Sequence, residues 1–103
     1  MEMQLSLFDT QMTKKEEQIY QRLARGLEES LERHAHILKH GTNDPFWHDG
    51  ANLMLVRGHI SYYKRKLYDL HLQTTIPLPD IALKPTPPEY PLDYCVNCRP
   101  HHR

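Results

Sequence analysis

Apolar side chains recur at helical spacing between residues 19 and 38, and charged side chains fall largely on the other side of the helix that they predict. Just before this stretch, Thr13 and Glu16 have the spacing of a capping box, in which a hydroxyl and a carboxylate satisfy free amides of the first turn. Gly41 is a stop signal. The pattern predicts a first helix of about 26 residues, roughly 39 Å long, which needs a partner for its apolar stripe. The stripe consists of Ile19, Leu23, Leu27, Leu31 and Leu38.

A second periodic stretch follows the loop GTNDPFWHDG, and its apolar residues alternate steps of three and four. This is the a/d spacing of helices that pack side by side, and it predicts a second helix from about Asp49 to Leu72. Asp49 fits the cap position of that helix. A connection of roughly eight to ten residues allows the second helix to fold back on the first, which predicts an antiparallel helical hairpin. The periodic residues are Leu53, Val56, Ile60, Tyr63, Leu67 and Leu70.

The fold class that follows is all-α. A hairpin of two helices covers only one face of each helix, so it buries little apolar surface for the entropy that folding costs. We therefore predict that residues 13–73 form the hairpin and that two copies pair into a four-helix bundle.

The loop between the helices holds the single tryptophan of the chain. Asn43 or Asp44 can begin a turn that Pro45 fixes, and this places Phe46 and Trp47 at the tip of the hairpin. We favour a structural role, in which both aromatic side chains plug the open end of the hairpin, over a role as a binding surface.

The chain changes character from Thr74 onward, because frequent prolines exclude helix and disfavour a central strand. Residues 74–103 are therefore predicted to be an extended, Pro-rich tail that ends in a Cys-x-x-Cys pair. We expect the tail to lie along the hairpin, since a disordered segment usually contains fewer large apolar residues. Its apolar residues are Ile76, Leu78, Ile81, Leu83, Tyr90, Leu92 and Tyr94.

Composition limits the class of protein. The chain has 103 residues, 13 Lys and Arg against 13 Asp and Glu, and 39% hydrophobic residues, which is enough for one small domain. No apolar run approaches the roughly 20 residues of a membrane span, and the N-terminus lacks the pattern of a secretory signal. The two cysteines lie too close in sequence to staple a fold. These features predict a cytoplasmic protein that does not interact with a membrane.

The first 12 residues contain the pentapeptide QLSLF, at residues 4–8, ahead of the first helix cap. It resembles at every position the short peptide by which bacterial polymerases, repair proteins and regulators bind the replicative DNA sliding clamp. A chance match to this pentapeptide is expected in roughly one chain of this size in several thousand. The resemblance covers five residues and carries no information about the fold.

The resemblance implies a role for each residue of the pentapeptide. Gln4 would hydrogen-bond at the mouth of the clamp's cleft, Leu5 would fill one part of the cleft, and Leu7 and Phe8 would fill its deeper apolar part, as anchor residues do in preformed pockets. Ser6 is a permitted spacer. The structural alternative is a hydrophobic staple, in which Leu7 or Phe8 packs back on the first turn of the helix.

A second candidate site lies at the C-terminus. Cys95 and Cys98 have the spacing by which two thiolates hold one zinc ion, and His101 offers a third ligand, with His102 beside it. All these ligands lie within eight residues, so zinc would stabilise little of the fold. The alternatives are an inert reduced tail, which we favour, and a redox pair that lacks its usual βαβ context.

Arg57, Lys64, Arg65 and Lys66 make the second helix basic, and nearby tyrosines would suit nucleic acid. The first helix is acidic, however, and pairing of charges between the two helices explains the same residues with no excess left for phosphate. We therefore do not favour nucleic acid as a partner.

His36 and His40 are one helical turn apart and have the spacing of a metal chelate, but we interpret them as surface residues.

We find no nucleophile with a base, no carboxylate pair in an obvious cleft and no phosphate-binding glycine loop, so we expect no catalysis.

The loop and the stretch NLMLVRGHISYYKRKL look similar to small uncharacterised proteins of phages and mobile elements in Gram-positive bacteria, a resemblance that implies no activity. We interpret the chain as a clamp-binding protein that recruits to or interferes with replication or repair. The alternatives are a small zinc- or nucleic-acid-binding accessory module and a purely structural dimerisation unit.

Overall fold

A computed structural model describes residues 13–74 and 76–97. Two long helices, α1 (Lys14–His40) and α2 (Asp49–Gln73), are followed by a short 3₁₀ helix (Asp80–Leu83). No strand occurs among the described residues, and α1 and α2 pack against each other as a hairpin. The prediction of an all-α helical hairpin is confirmed, and the helix bounds lie within one or two residues of those predicted.

The N-terminus of α1 is closed by the capping box that its sequence predicts. Thr13 Oγ1 accepts a hydrogen bond from the Glu16 amide at 3.1 Å, and Glu16 Oε1 accepts one from the Thr13 amide at 3.0 Å. At the other end, the Gly41 amide donates to the carbonyl of Ile37 at 2.7 Å. Gly41 has φ 74°, a left-handed conformation that favours glycine, so the predicted stop signal is confirmed as well.

The start of α2 differs from the prediction. His48, not Asp49, occupies the N-cap position, and its side chain makes no cap hydrogen bond. Asp49 is the first residue of the helix and is buried, with its carboxylate turned to partners outside α2. The prediction that Asp49 caps α2 is wrong, because a carboxylate at this place in the sequence has other amides within reach.

The core lies between the two helices and is completed by the tail segment, by which we mean the described residues 76–97. Helix residues and Ala82 of the 3₁₀ helix form one buried cluster, and four large side chains of the tail segment pack against it. Leu83 and Leu92, which the sequence pattern placed on the hairpin, are instead exposed. The buried cluster consists of Leu27, Ile37, Leu53, Val56, Ile60, Leu67 and Ala82, and the four packed side chains are Leu78, Ile81, Tyr90 and Tyr94.

Within the described residues, neither helix has an apolar stretch long enough to cross a membrane.

Ile60 provides a test of this core. Its side chain is 0% exposed, so Ile60→Ala removes buried methyl groups and leaves a cavity. We expect the free energy of unfolding to fall by about 2 to 5 kcal/mol in urea titrations. Leu72→Ala is the matched control, because Leu72 lies in the same helix with its side chain 75% exposed, and it should change stability by less than about 0.5 kcal/mol. Equal effects of the two substitutions would contradict this placement of the core.

Candidate functional site

Two basic residues of α2 hold the tail segment. Arg57 Nε donates to the carbonyl of Pro87 at 2.7 Å, and its guanidinium lies 3.6 Å from the carboxylate of Glu89. Lys64 Nζ donates to Thr86 Oγ1 at 3.0 Å and also to the carbonyl of Lys84. Burial lowers the pKa of Lys64. The backbone of a segment outside regular structure needs hydrogen-bond partners for its carbonyls, and long cationic side chains supply them here.

This arrangement bears on the predicted nucleic-acid patch. The structure separates its four residues, because Arg57 and Lys64 are directed to the tail segment while Arg65 and Lys66 are exposed. Lys66 Nζ lies 5.7 Å from the centre of the Tyr62 ring. Among the described residues, no ion pair joins α1 to α2. The interpretation of the helix charges as interhelical pairs is therefore wrong for this part of the chain.

Asp49 is the centre of a hydrogen-bonded cluster at the loop end of the hairpin. Its Oδ1 accepts from the Thr42 amide at 2.9 Å and from the Thr42 hydroxyl at 2.8 Å, and its Oδ2 accepts from the Val96 amide at 2.8 Å. One carboxylate thus connects the end of α1, the start of α2 and the tail segment. We call Thr42, Asp49 and Val96 the Asp49 cluster.

The ionised form of Asp49 is favoured in the folded protein. Burial by itself raises the pKa of the carboxyl group, but the hydrogen bonds from Val96 and Thr42, with a smaller effect of His48, outweigh burial and lower the pKa. The cluster therefore depends on a negative charge that is buried and fully hydrogen-bonded.

The backbone of the tail segment also approaches α2 next to this cluster. The Gly50 amide donates to the carbonyl of Tyr94 at 2.9 Å, and a Cβ at Gly50 would lie 1.8 Å from the carbonyl oxygen of Pro91. Only glycine fits at position 50, a requirement that the sequence pattern did not reveal. A further contact of the tail segment lies nearby, where Asn97 Nδ2 donates to the carbonyl of His40 at 2.8 Å and satisfies a carbonyl at the end of α1.

His34 lies beneath the tail segment. It is buried, its ring centre is 6.2 Å from that of Tyr90, and its Nε2 has no hydrogen-bond partner among the described residues. Burial, together with the charge of Arg57, lowers the pKa of His34, so the neutral imidazole is the folded form. The sequence did not indicate that His34 would be buried, because a histidine in an amphipathic helix can lie on either face.

The loop tip holds two aromatic side chains in solvent. Phe46 is 88% exposed and Trp47 is 59% exposed, so the prediction that they plug the open end of the hairpin is wrong. The turn itself is well defined. Asp44 Oδ1 accepts from the amides of Phe46 at 2.9 Å and Trp47 at 3.2 Å, and Asp44 Oδ2 accepts from Asn52 Nδ2 at 3.2 Å. These hydrogen bonds hold the turn in a conformation in which both rings lie outside the core.

A groove of about 1020 Å³ runs between α1 and α2, and no residue of the tail segment lines it. Apolar side chains of both helices form part of its lining, and polar and charged residues of the helices and of the loop after α1 line the rest. His36 is among them, and its ring centre lies 4.7 Å from that of His40. The apolar lining consists of Ile37, Leu55, Val56 and Tyr63, and the charged or ionisable lining of Glu29, Glu32, Arg33, His36 and His59.

Several predicted site residues lie outside the described residues. These are the pentapeptide residues Gln4, Leu5, Leu7 and Phe8, and the zinc ligands Cys98 and His101. Cys95 is described, is half-buried and is not a free thiol. The described part of the chain contains no group of three or more His, Cys, Asp or Glu side chains arranged to hold a metal ion. Clamp binding and zinc binding stay predictions.

The described residues thus define a small helical hairpin with a tail segment bound along it. No protein-family model, curated protein sequence or solved structure matches the chain.

Two glycines of α2 allow a paired test of the tail contact. Gly50→Ala places a methyl group against the Pro91 carbonyl, so we expect the tail segment to be displaced and to become sensitive to limited proteolysis. Gly58→Ala is the control, because no other described part of the chain packs within 4 Å of its added Cβ, and better helix propensity should raise the free energy of unfolding by up to about 1 kcal/mol. A Gly50→Ala protein as stable and protease-resistant as the Gly58→Ala protein would contradict the contact.

The Asp49 cluster predicts a specific pH dependence. Asp49→Asn should lower the free energy of unfolding by about 1.5 to 3 kcal/mol at neutral pH, because charge-assisted hydrogen bonds are lost. The pKa of Asp49 in the folded protein is below the value of 3.8 expected for the unfolded chain. Its contribution is therefore complete above the unfolded pKa and is lost as pH falls through the folded pKa. Unfolding titrations of both proteins against pH should show their difference constant near neutrality and shrinking below pH 3.8.

Proposed function

We propose that this protein is a non-catalytic cytoplasmic binding protein that docks on the bacterial DNA sliding clamp through residues 4–8. The observation that carries the proposal is the pentapeptide QLSLF, which matches the clamp-binding pattern at each of its positions. In this role Gln4 is the polar contact at the cleft, and Leu5, Leu7 and Phe8 are its apolar anchors. Docking there recruits the protein to replication or repair, or blocks the cleft for other proteins.

The start of α1 supports this proposal. Its capping box is complete with Thr13 and Glu16, so both side chains that cap the helix come from residues 13–16. A clamp cleft can therefore take up the pentapeptide without cost to the helix cap. Four residues separate Phe8 from Thr13, and an extended chain over these five steps reaches at most about 18 Å. The body of the hairpin would lie close to the clamp.

The arrangement of the basic residues favours this proposal over nucleic-acid binding. Arg57 and Lys64 hydrogen-bond to the tail segment, so phosphate would have to compete with these contacts. Arg65 and Lys66 remain exposed and are too few for a strong electrostatic interaction with a nucleic acid.

We also propose that the protein self-associates. The tail segment completes the core on one face of the hairpin, but the groove on the other face remains open, with Leu55 and Tyr63 in its lining. A second copy that covers this groove would bring four helices together, as in a helical bundle. A dimer carries two pentapeptides, which could engage two clefts of a ring-shaped dimeric clamp with increased avidity when their spacing allows.

Clamp docking is tested by a double substitution. Leu7→Ala with Phe8→Ala removes two anchors, and at about 1.5 to 3 kcal/mol for each buried side chain we expect binding to weaken by about 3 to 6 kcal/mol. Isothermal calorimetry with a purified bacterial clamp measures this loss. Ser6→Ala is the matched control and should bind as the unmodified protein does.

The same variants separate docking from the hydrophobic staple. If the anchors serve the clamp, the double substitution leaves the melting temperature of the hairpin unchanged. A staple predicts a lower melting temperature and no clamp interaction to lose. Absence of binding by both the full chain and a peptide of residues 1–12 would reject the proposal.

A further inference from the structure

The aromatic tip, by which we mean Phe46 and Trp47, is organised for contact with another molecule. Both rings are exposed although the turn that carries them is held by Asp44 and Asn52. Large exposed aromatic side chains on a fixed backbone lose little conformational entropy on binding, which is why they serve as anchors at interfaces. Nothing in the described part of the chain covers them.

The charge around the aromatic tip restricts what it contacts. Residues 42–52 include Asp44 and Asp49 and contain no lysine or arginine. Hydrogen bonds from Phe46 and Asn52 lower the pKa of Asp44, so its carboxylate is ionised at neutral pH. Anionic lipid and nucleic acid are disfavoured, because a phosphate surface attracts basic residues and repels carboxylates. A protein surface with an apolar floor and a cationic rim has the complementary chemistry.

The end of the groove between α1 and α2 that lies nearer to the loop has that chemistry, because Glu29 and Glu32 line the groove on the N-terminal side of Arg33 in α1. Leu55, which is 55% exposed, and Tyr63 contribute apolar surface, and Arg33 contributes a cationic group. Its volume of about 1020 Å³ matches the upper range of pockets that bury whole organic ligands, about 300 to 1,000 Å³, so two aromatic side chains fit. Arg33 makes no ion pair within the described residues.

We infer that the aromatic tip of one copy of the chain inserts into the groove between α1 and α2 of a second copy. This inference rests on the proposed self-association and names the surfaces that form it. The carboxylate of Asp44 enters the groove with the tip and faces Arg33. Glu29 and Glu32, the two carboxylates of the lining, precede Arg33 along α1, so the inserted turn lies at the part of the groove nearer to the loop.

The arrangement is self-complementary. Asn43 and Asn52, which flank the aromatic tip, also line the groove, so both surfaces occur side by side on one hairpin. A two-fold axis between two antiparallel copies then places each tip in the groove of the other copy at the same time. Both insertions bury aromatic surface that the single chain leaves in water.

The fluorescence of Trp47 tests this inference directly, because Trp47 is the single tryptophan. Light scattering and tryptophan emission are measured on the full chain over a concentration series. We expect a dimer at high concentration whose emission lies at shorter wavelength and whose quenching by acrylamide is weaker than in the dilute monomer. Both signals should follow the dimer fraction.

Substitutions on both surfaces sharpen the test. Phe46→Ser in the tip and Leu55→Glu in the groove should each raise the dissociation constant of the dimer by about tenfold or more. Leu83→Ser is the matched control, because Leu83 is an exposed apolar side chain outside both surfaces, and it should leave the constant unchanged. Phe46→Ser retains Trp47, so the optical signal remains available.

The outcomes are distinct. A dimer in which Trp47 stays as exposed as in the monomer, or which tolerates Phe46→Ser and Leu55→Glu, overturns tip insertion but leaves self-association intact. A monomer at all concentrations overturns both. An emission shift caused by phosphatidylcholine vesicles and absent from the concentrated protein alone assigns the tip to lipid and also overturns the inference.

Discussion

The buried carboxylate of Asp49 is the interaction on which the rest of the structure depends. A charge in this position is stable only when each of its oxygens has a donor, and Thr42 and Val96 supply those donors from two separate parts of the chain. The geometry of the loop, the start of α2 and the end of the tail segment are therefore fixed together. Displacement of the loop or of the tail segment would leave one oxygen of the buried carboxylate without its donor.

The backbone carbonyls of the tail segment, although uncharged, also need hydrogen-bond donors where they are removed from water. Its backbone outside the 3₁₀ helix forms no regular hydrogen-bonded structure, so its carbonyls need other donors. The structure provides them from α2, where Arg57 binds the carbonyl of Pro87 and His71 Nδ1 lies 2.6 Å from the carbonyl of Ile76. Apolar contacts through Leu78 and Ile81 add burial between these two hydrogen-bonded carbonyls. The hairpin and the tail segment thus share one core.

The helices could be predicted from the sequence because their signals are local. The capping residues Thr13 and Glu16 and the glycine at position 41 act within one turn, and the apolar periodicity of each helix reports its buried face. The contacts by which α2 holds the tail segment could not be predicted in this way. Arg57 and Lys64 have the same appearance in a sequence whether they face phosphate, an acidic helix or the carbonyls of a distant segment.

The candidate site shows the same division between local and distant information. A carboxylate at position 49 suits a helix cap as well as a buried cluster, and only the position of Val96, 47 residues later, decides between them. Phe46 and Trp47 are apolar and adjacent to a turn, which favours burial by composition alone. The hydrogen bonds of Asp44 hold the turn in a conformation in which both rings are exposed, and these hydrogen bonds cannot be read from composition.

The distance in sequence between the tail segment and the helix residues that it contacts has a consequence for the order of folding. The helices form through contacts within a few residues, whereas Asn97 binds the carbonyl of His40 across 57 residues. Contacts of long sequence separation form late, because a large loop has to close first. The hairpin is therefore expected to assemble before the tail segment docks on it. In the folded protein the reverse opening of the tail segment would be the first local unfolding step, and it would bring His34 into contact with water.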